Sequence, residues 1–234
     1  SISVTGGLKN MPYRVSAGYN IGNGILITSW MRRFNTSVNL APSFLDKHLN
    51  FNITAKYMYE KNRYADPGAI GAALAMDPTR PVRMSDPDYK FVGGYYQTLV
   101  DASFSDPSWK KMGYTQTPEN PVAMLNNKYC LANANDYSGN VEVDYKIHGF
   151  EDLHLHASIG AQYTDTRQDI SVSRYSRSDN YYGWEETMGY WKYNIVANAY
   201  AQYAHKFGVH DIDIMGGAEQ SHYHRHGYNQ GFGT

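Results

Sequence analysis

Apolar and polar side chains alternate along much of this chain, and a period of two places successive side chains on opposite faces of an extended strand. Between Asp136 and Ile147 one set reads Tyr137, Gly139, Val141, Val143, Tyr145 and Ile147, and the other Asp136, Ser138, Asn140, Glu142, Asp144 and Lys146. The next stretch repeats the pattern, with Leu153, Leu155, Ala157, Ile159, Ala161 and Tyr163 set against Asp152, His154, His156, Ser158, Gly160 and Gln162. Weaker versions cover Tyr13 to Asn20, Leu49 to Glu60, Trp191 to Tyr203 and the short Ile212/Ile214 segment. Ile2 to Leu8 and Trp30 to Leu40 complete a set of about eight strands with no long helix.

Strands of roughly 8 to 14 residues exceed the ~5 or 6 usual in soluble sandwiches. They suit a bilayer, which a strand tilted near 45° crosses in about 9 to 11 residues, apolar outside, polar inside and girdled by aromatics. The apolar sets carry such rings near their ends, among them Tyr57, Tyr137, Tyr145, Tyr163, Trp191 and Tyr203. Connections alternate in length as well. Lys9 to Pro12, Pro42 to Lys47, His148 to Asp152 and His205 to His210 are short; 62–135 and 165–189 are long, and the chain after Tyr223 opens another loop. The expected fold is therefore all-β, an antiparallel transmembrane β-barrel with long extracellular loops. A soluble antiparallel protein with one large insertion shares the pattern. Inside the longer loop, Pro67 to Met76 reads as a short helix with Asp66 as N-cap and Pro67 at its first position, stopped at Asp77-Pro78.

Composition narrows the partners. With 21 Lys+Arg against 22 Asp+Glu the net charge is −1, which gives no bulk attraction to nucleic acid. Aromatics at 15%, with 22 tyrosines, exclude disorder over most of the length. The single Cys130 allows neither an internal disulfide nor a cysteine-based zinc site. No apolar run approaches the ~18 to 20 residues of a membrane-spanning helix, and no signal peptide is expected within Ser1 to Asn20.

No catalytic constellation emerges, so an enzyme is not expected. Glu142 and Asp144 share one face, where paired carboxylates could perform acid/base work; a solvated polar wall is the better reading. Asn140, His154 and His156 join them on that wall. His222, His224 and His226 stand at alternating positions that neighbouring imidazoles could use to chelate a metal, though a polar loop base fits them better. Asp86, Asp88 and Asp101 match no calcium loop. Gly93-Gly94-Tyr95-Tyr96 lacks the lysine and helix of a phosphate loop and reads as a flexible aromatic segment. Neither metal nor cofactor is expected. Sugar capture would require flat rings with amides around them, and the loops offer Tyr95, Tyr96, Trp109, Tyr114, Tyr181, Tyr182 and Trp184 beside Asn126, Asn127 and Asn180; such rings serve equally well as protein-interface anchors.

The segment Tyr64-Ala65-Asp66 followed by Ala69-Ile70-Gly71-Ala72-Ala73-Leu74-Ala75-Met76-Asp77-Pro78-Thr79-Arg80-Pro81-Val82 resembles one in the SusC-like TonB-dependent transporters of Bacteroidetes outer membranes. So do Ser3-Val4-Thr5-Gly6-Gly7, Tyr13-Arg14-Val15-Ser16-Ala17-Gly18-Tyr19, Gly24-Ile25, Arg33-Phe34-Asn35, Val38-Asn39-Leu40, Gly139-Asn140 and Asp144-Tyr145-Lys146, in the same order along most of the chain. The resemblance implies a piece of a 22-stranded barrel that takes up glycans, or sometimes peptides, across the outer membrane. It further implies a SusD-like lipoprotein lid outside and energy passed from TonB through a plug domain, which this chain is expected to lack. Embedded in outer-membrane lipid, residues 1–234 would then be one part of the barrel wall. Two other classes remain open from the sequence: a self-contained outer-membrane barrel serving as adhesin or anchor, and a soluble β-rich carbohydrate-binding module.

Overall fold

The computed structural model describes residues 1–98, 117–177 and 183–233. Its strands are β1 (Ile2–Leu8), β2 (Met11–Asn23), β3 (Trp30–Leu40), the two-residue β4 (Ser43–Phe44), β5 (Leu49–Tyr64), β6 (Lys128–Lys146), β7 (Leu153–Val172), β8 (Trp184–Phe207) and β9 (His210–Gly233). All pair antiparallel in one sheet of order β1-β2-β3-β5-β6-β7-β8-β9, with β4 attached to β5. Among the described residues β1 and β9 stand at opposite edges, so the sheet is open and not a closed eight-stranded barrel.

Register carries the alternation across the whole sheet, because directly opposed residues share a face. Val141 of β6 faces Ile53 of β5 and Ile159 of β7, which in turn faces Ala197 of β8. Two same-face steps along, Tyr57, Tyr137, Tyr163 and Tyr193 form a continuous row over four strands. The rings touch, with centroids 4.9 Å apart for Tyr57–Tyr137 and 6.3 Å for Tyr137–Tyr163. At the opposite end Tyr145, Tyr203, Phe44 and Phe150 make a second aromatic level, where Phe150 stacks on Tyr203 at 5.8 Å. From Tyr193 to Tyr203 the rise along β8 is about 33 Å at ~3.3 Å per residue, or about 23 Å along the normal for a strand tilted near 45°, close to the ~25 Å apolar band of an outer-membrane barrel.

Burial runs opposite to that of a soluble domain. Val141, Ile159, Leu155 and Ile195 on the sheet's apolar face are 37%, 53%, 40% and 40% exposed, whereas of the buried apolar residues only Cys130 is in the sheet, and Ala69, Val92, Tyr95, Ala123 and Leu125 lie in the connection between β5 and β6. A contiguous exposed apolar surface of this kind marks a lipid or partner contact. No described helix is long and apolar enough to cross a membrane.

The connection 65–127 holds helices α1 (Gly68–Ala75) and α2 (Pro121–Asn127) and a 3-10 turn at Pro87–Val92. Its hub is Asn120, 1% exposed. The Asn120 Oδ1 accepts from the N–H groups of Val122 and Ala123 at 3.1 and 3.2 Å, capping α2. Its Nδ2 donates to the carbonyls of Val82 and Tyr96 at 3.1 and 3.2 Å, and its backbone N–H to Gln97 Oε1 at 3.2 Å.

Several boundaries differ from expectation. The loop expected over 62–135 is shorter, because β5 runs through Tyr64 and β6 begins at Lys128. The loop expected over 165–189 is mostly paired strand, leaving only 173–183 between β7 and β8. The chain after Tyr223 continues β9 to Gly233 instead of opening a loop. The reason is common to all three: above the tyrosine row the outward positions become Asp165, Arg167, Asp169 and Glu185, so both faces are polar and the period disappears from the sequence while the ladder continues. Helix α1 begins one residue late, with Pro67 at the N-cap position, and the Asp66 carboxylate accepts from Gly68 N–H at 2.9 Å. Gly93-Gly94 is a pinned turn, not a flexible one. Both glycines have positive φ, 67° and 73°, which a Cβ would oppose, and Met84 N–H donates to the Gly94 carbonyl at 2.9 Å.

Candidate functional site

Asn140, Glu142, Asp144, His154 and His156 share the polar face of the sheet. Asn140, Glu142 and Asp144 of β6 oppose Gly160, Ser158 and His156 of β7, and Lys146 opposes His154. Both Glu142 oxygens are occupied, Oε1 by Asn140 Nδ2 at 2.7 Å and Oε2 by Asn52 Nδ2 at 3.0 Å. Asn39 extends the ladder, donating to Asn52 Oδ1 at 2.8 Å and Thr54 Oγ1 at 2.9 Å. A carboxylate held by two amides orders a wall and is not set up to shuttle protons. Asp144 stands 3.9 Å from His154 Nδ1 and 3.8 Å from His156 Nδ1, and the His156 ring stacks on Tyr200 at 4.5 Å.

Higher on the same face lies a concavity of about 560 Å³ lined by Glu60, Asn62, Gln168, Tyr190, Arg225 and Asn229, among others. Arg33 of β3 forms an ion pair with Glu60, and the Arg225 guanidinium lies 4.3 Å from the centre of the Tyr190 ring. Gly227 of β9 lies opposite Tyr190 of β8 on this face and puts no side chain into the hollow. A carboxylate, three amides, a guanidinium and a phenol around one hollow can hydrogen-bond hydroxyls or peptide groups. Most of this site went unread in the sequence, because much of it sits on strand ends assigned to loops.

The loop candidates separate. Tyr95 is 5% exposed and its hydroxyl accepts from Arg83 Nη2 at 2.7 Å and Asn126 Nδ2 at 3.0 Å, so it anchors the loop. Tyr96 is half-buried, stacked on Tyr89 at 6.1 Å with Arg80 5.6 Å from its ring centre. Trp184 lies at the start of β8 on the polar face, and its indole packs where a Cβ on Gly231 would stand. Trp109, Tyr114, Tyr181, Tyr182, Asn180 and Asp101 lie outside the described residues. The β9 histidines are not a loop base: His222, His224 and His226 face outward opposite Ile195, Tyr193 and Trp191, beside those rings. Among the described residues no three His, Cys, Asp or Glu side chains converge as a metal site. Asp86 instead caps the 3-10 turn, accepting from Asp88 N–H at 2.9 Å.

One loop group is electrostatically unusual. Burial raises the Glu119 carboxyl above its ordinary range, opposed by the Arg177 N–H that donates to Oε1 at 3.1 Å and by the Arg177 charge. An acid whose folded value is raised contributes stability that is fullest below its unfolded value and is lost as pH rises through the folded one. Glu119→Gln therefore tightens the contact between segments 117–120 and 173–177 at neutral pH and removes its pH dependence, measured by amide exchange of Arg177 between about pH 4 and 7.

The chain is 53% identical over 234 residues to the TonB-dependent receptor SusC of Bacteroides thetaiotaomicron, a match covering 99% of this chain and 23% of that receptor. The chain is a SusC-like TonB-dependent receptor segment. It spans about a quarter of the length of that relative, and no family model matches it. Among solved structures, the RagAB peptide transporter superposes on the SusC-like segment with a TM-score of 0.68 at 16% identity, covering 99% of this chain and 25% of that one. The RagAB importer in its open-open state gives 0.67 at 15%, covering 98% and 24%. BauA, the ferric preacinetobactin receptor of Acinetobacter baumannii, gives 0.51 at 12%, covering 98% and 28%. At such identities these likenesses establish the fold, an antiparallel barrel wall, for the SusC-like segment.

Proposed function

We propose that this segment forms part of the wall of an outer-membrane importer for oligosaccharides, with the apolar face in lipid and the polar face toward the lumen. The observation that carries the reading is the 53% identity to SusC over the whole segment. The lumenal hollow around Glu60, Asn62, Tyr190 and Arg225 would be one stop on the substrate's path, offering the paired donors and acceptors that sugar hydroxyls need. The protein acts as a conduit without catalysis. Its partners are a SusD-like lipoprotein over the long loops and the TonB system acting through a plug. Tyr96 and Trp184, with Trp109, Tyr181 and Tyr182, are proposed as outer contacts for cargo or lid.

Peptides are the second cargo class, favoured by the likeness to a peptide transporter; the higher identity to SusC ranks oligosaccharides first. The test is uptake of fluorescent oligosaccharides and peptides by cells carrying the full-length receptor, its deletion, or the Tyr190→Ala/Arg225→Ala variant. Oligosaccharide uptake is expected to vanish on deletion or on collapse of the proton-motive force, and to fall roughly tenfold in the variant, equivalent to about 1.4 kcal/mol of lost interaction. Unchanged uptake of both classes on deletion would overturn the importer reading, and loss of peptide uptake alone would overturn the choice of cargo.

A further inference from the structure

Among the described residues, three cations on the outward face have no anionic partner. Arg32 of β3 lies directly opposite Lys61 of β5, and Arg63, two residues on, opposes Trp30. Like charges directly opposed across a ladder repel, yet none of the three forms an ion pair with a described carboxylate. Their nearest ordering contacts are rings: Arg32 lies 5.0 Å from the centre of Trp30 and Arg63 4.7 Å from that of Tyr129. The Arg63 Nε is buried with no hydrogen-bond acceptor, a donor left waiting for one. The contrast with neighbouring Arg33, which faces inward and is paired with Glu60, is direct.

The position of the cluster matters as much as its charge. It stands on the long-loop side of the tyrosine row, two to three pleats above Tyr57, where headgroups of the outer leaflet lie if the apolar band occupies the outer membrane. Below it, on the same two strands and their neighbours, Val38, Ala55, Gly139 and Ala161 leave an apolar groove of about 560 Å³ beneath the tyrosines. The four stand on one rung across β3, β5, β6 and β7, and the rings of Tyr57, Phe34 and Tyr59 lie between that rung and the cluster.

We infer that Arg32, Lys61 and Arg63 bind the phosphate of an outer-leaflet glycolipid, one acyl chain of which lies in the groove over Ala55 and Gly139. Guanidinium groups suit phosphate oxygens geometrically, and the phosphate relieves the Arg32/Lys61 repulsion while satisfying Arg63 Nε. The inference rests on the membrane placement proposed above.

The experiment is native mass spectrometry of the full-length receptor in detergent, titrated with phosphorylated lipid A, its dephosphorylated form, or inorganic phosphate. The unaltered receptor is expected to hold one phosphorylated lipid specifically. Arg32→Gln/Lys61→Gln/Arg63→Gln weakens it roughly 100-fold, about fivefold per basic group, while Arg32→Lys/Arg63→Lys retains most of the binding. Gly139→Leu fills the groove, since a Cβ there meets only the Thr54 carbonyl at 3.6 Å, and weakens binding with no change of charge. Heat-modifiable migration on gels confirms that each variant is folded. Equal binding of the two lipid forms, or of receptor and triple variant, would overturn the site; displacement by millimolar inorganic phosphate would overturn the lipid as its occupant. Membrane fractionation reads the membrane placement separately, since a receptor recovered outside the outer membrane refutes that reading whatever lipid it binds.

Discussion

Val141→Arg is expected to prevent assembly of the folded barrel, whereas Ser158→Arg leaves it intact. The two positions lie one rung apart on paired strands and differ in face. Val141 sits midway between the two aromatic levels, among Ile53, Ile159 and, one strand further, Ala197. An arginine at the middle of the lipid-facing band costs about 2–4 kcal/mol, a large part of the ~5–15 kcal/mol margin of a folded protein. Ser158 opposes Glu142 on the polar face, where a new guanidinium meets water and a carboxylate and changes stability by less than ~1 kcal/mol. The heat-modifiable fraction of full-length receptor in outer membranes separates the outcomes, and equal loss from both variants would count against the assignment of faces.

Asn120→Ala is expected to release the 65–127 connection while the barrel remains folded. The substitution removes the cap of α2, worth about 1 kcal/mol, and takes the Nδ2 donor from the part-buried Tyr96 carbonyl, at about 1–3 kcal/mol, while the Val82 carbonyl keeps the Tyr96 N–H. A local loss of about 2–4 kcal/mol follows, in the range of broken buried networks. Hydrogen exchange in segments 82–97 and 120–127 rises by about one and a half to three orders of magnitude, with exchange in β6 and β7 unchanged. Asn120→Ser restores the cap alone and recovers about 1 kcal/mol of the loss. If exchange in the loop stays at the level of the unaltered protein, Asn120 is not its hub.

What was legible in the sequence follows the polarity of the outward face. Between the tyrosine row and the lower aromatics that face is apolar, so the middle of β6 and the start of β7 read directly from the period of two. Above the row both faces are polar, and Asp165, Arg167 and Asp169 belong to a strand that looks like a loop. The wall residues Asn140, Glu142, Asp144, His154 and His156 share the face their spacing required. The hollow at Arg225 was illegible, because it depends on strands running beyond the apolar band and on Gly227 standing opposite Tyr190. The second helix left a signal that passed unread: Asn120-Pro121 repeats the cap-then-proline order of Asp66-Pro67. Tyr95 shows the limit of reading aromatics by type, since only packing distinguishes a loop anchor from a ring free to stack on a sugar.

The central claim is that odd-numbered positions of β6 face lipid and even-numbered ones the lumen. Single cysteines placed one at a time from Tyr137 to Tyr145 in the full-length receptor, with Cys130 replaced by serine, can carry spin labels whose collision with oxygen and with a polar nickel chelate is measured in membranes. The account predicts strict alternation, oxygen-rich at 137, 139, 141, 143 and 145 and chelate-accessible at 138, 140, 142 and 144. Uniform access of the chelate along the whole stretch, or alternation in the opposite phase, would contradict it.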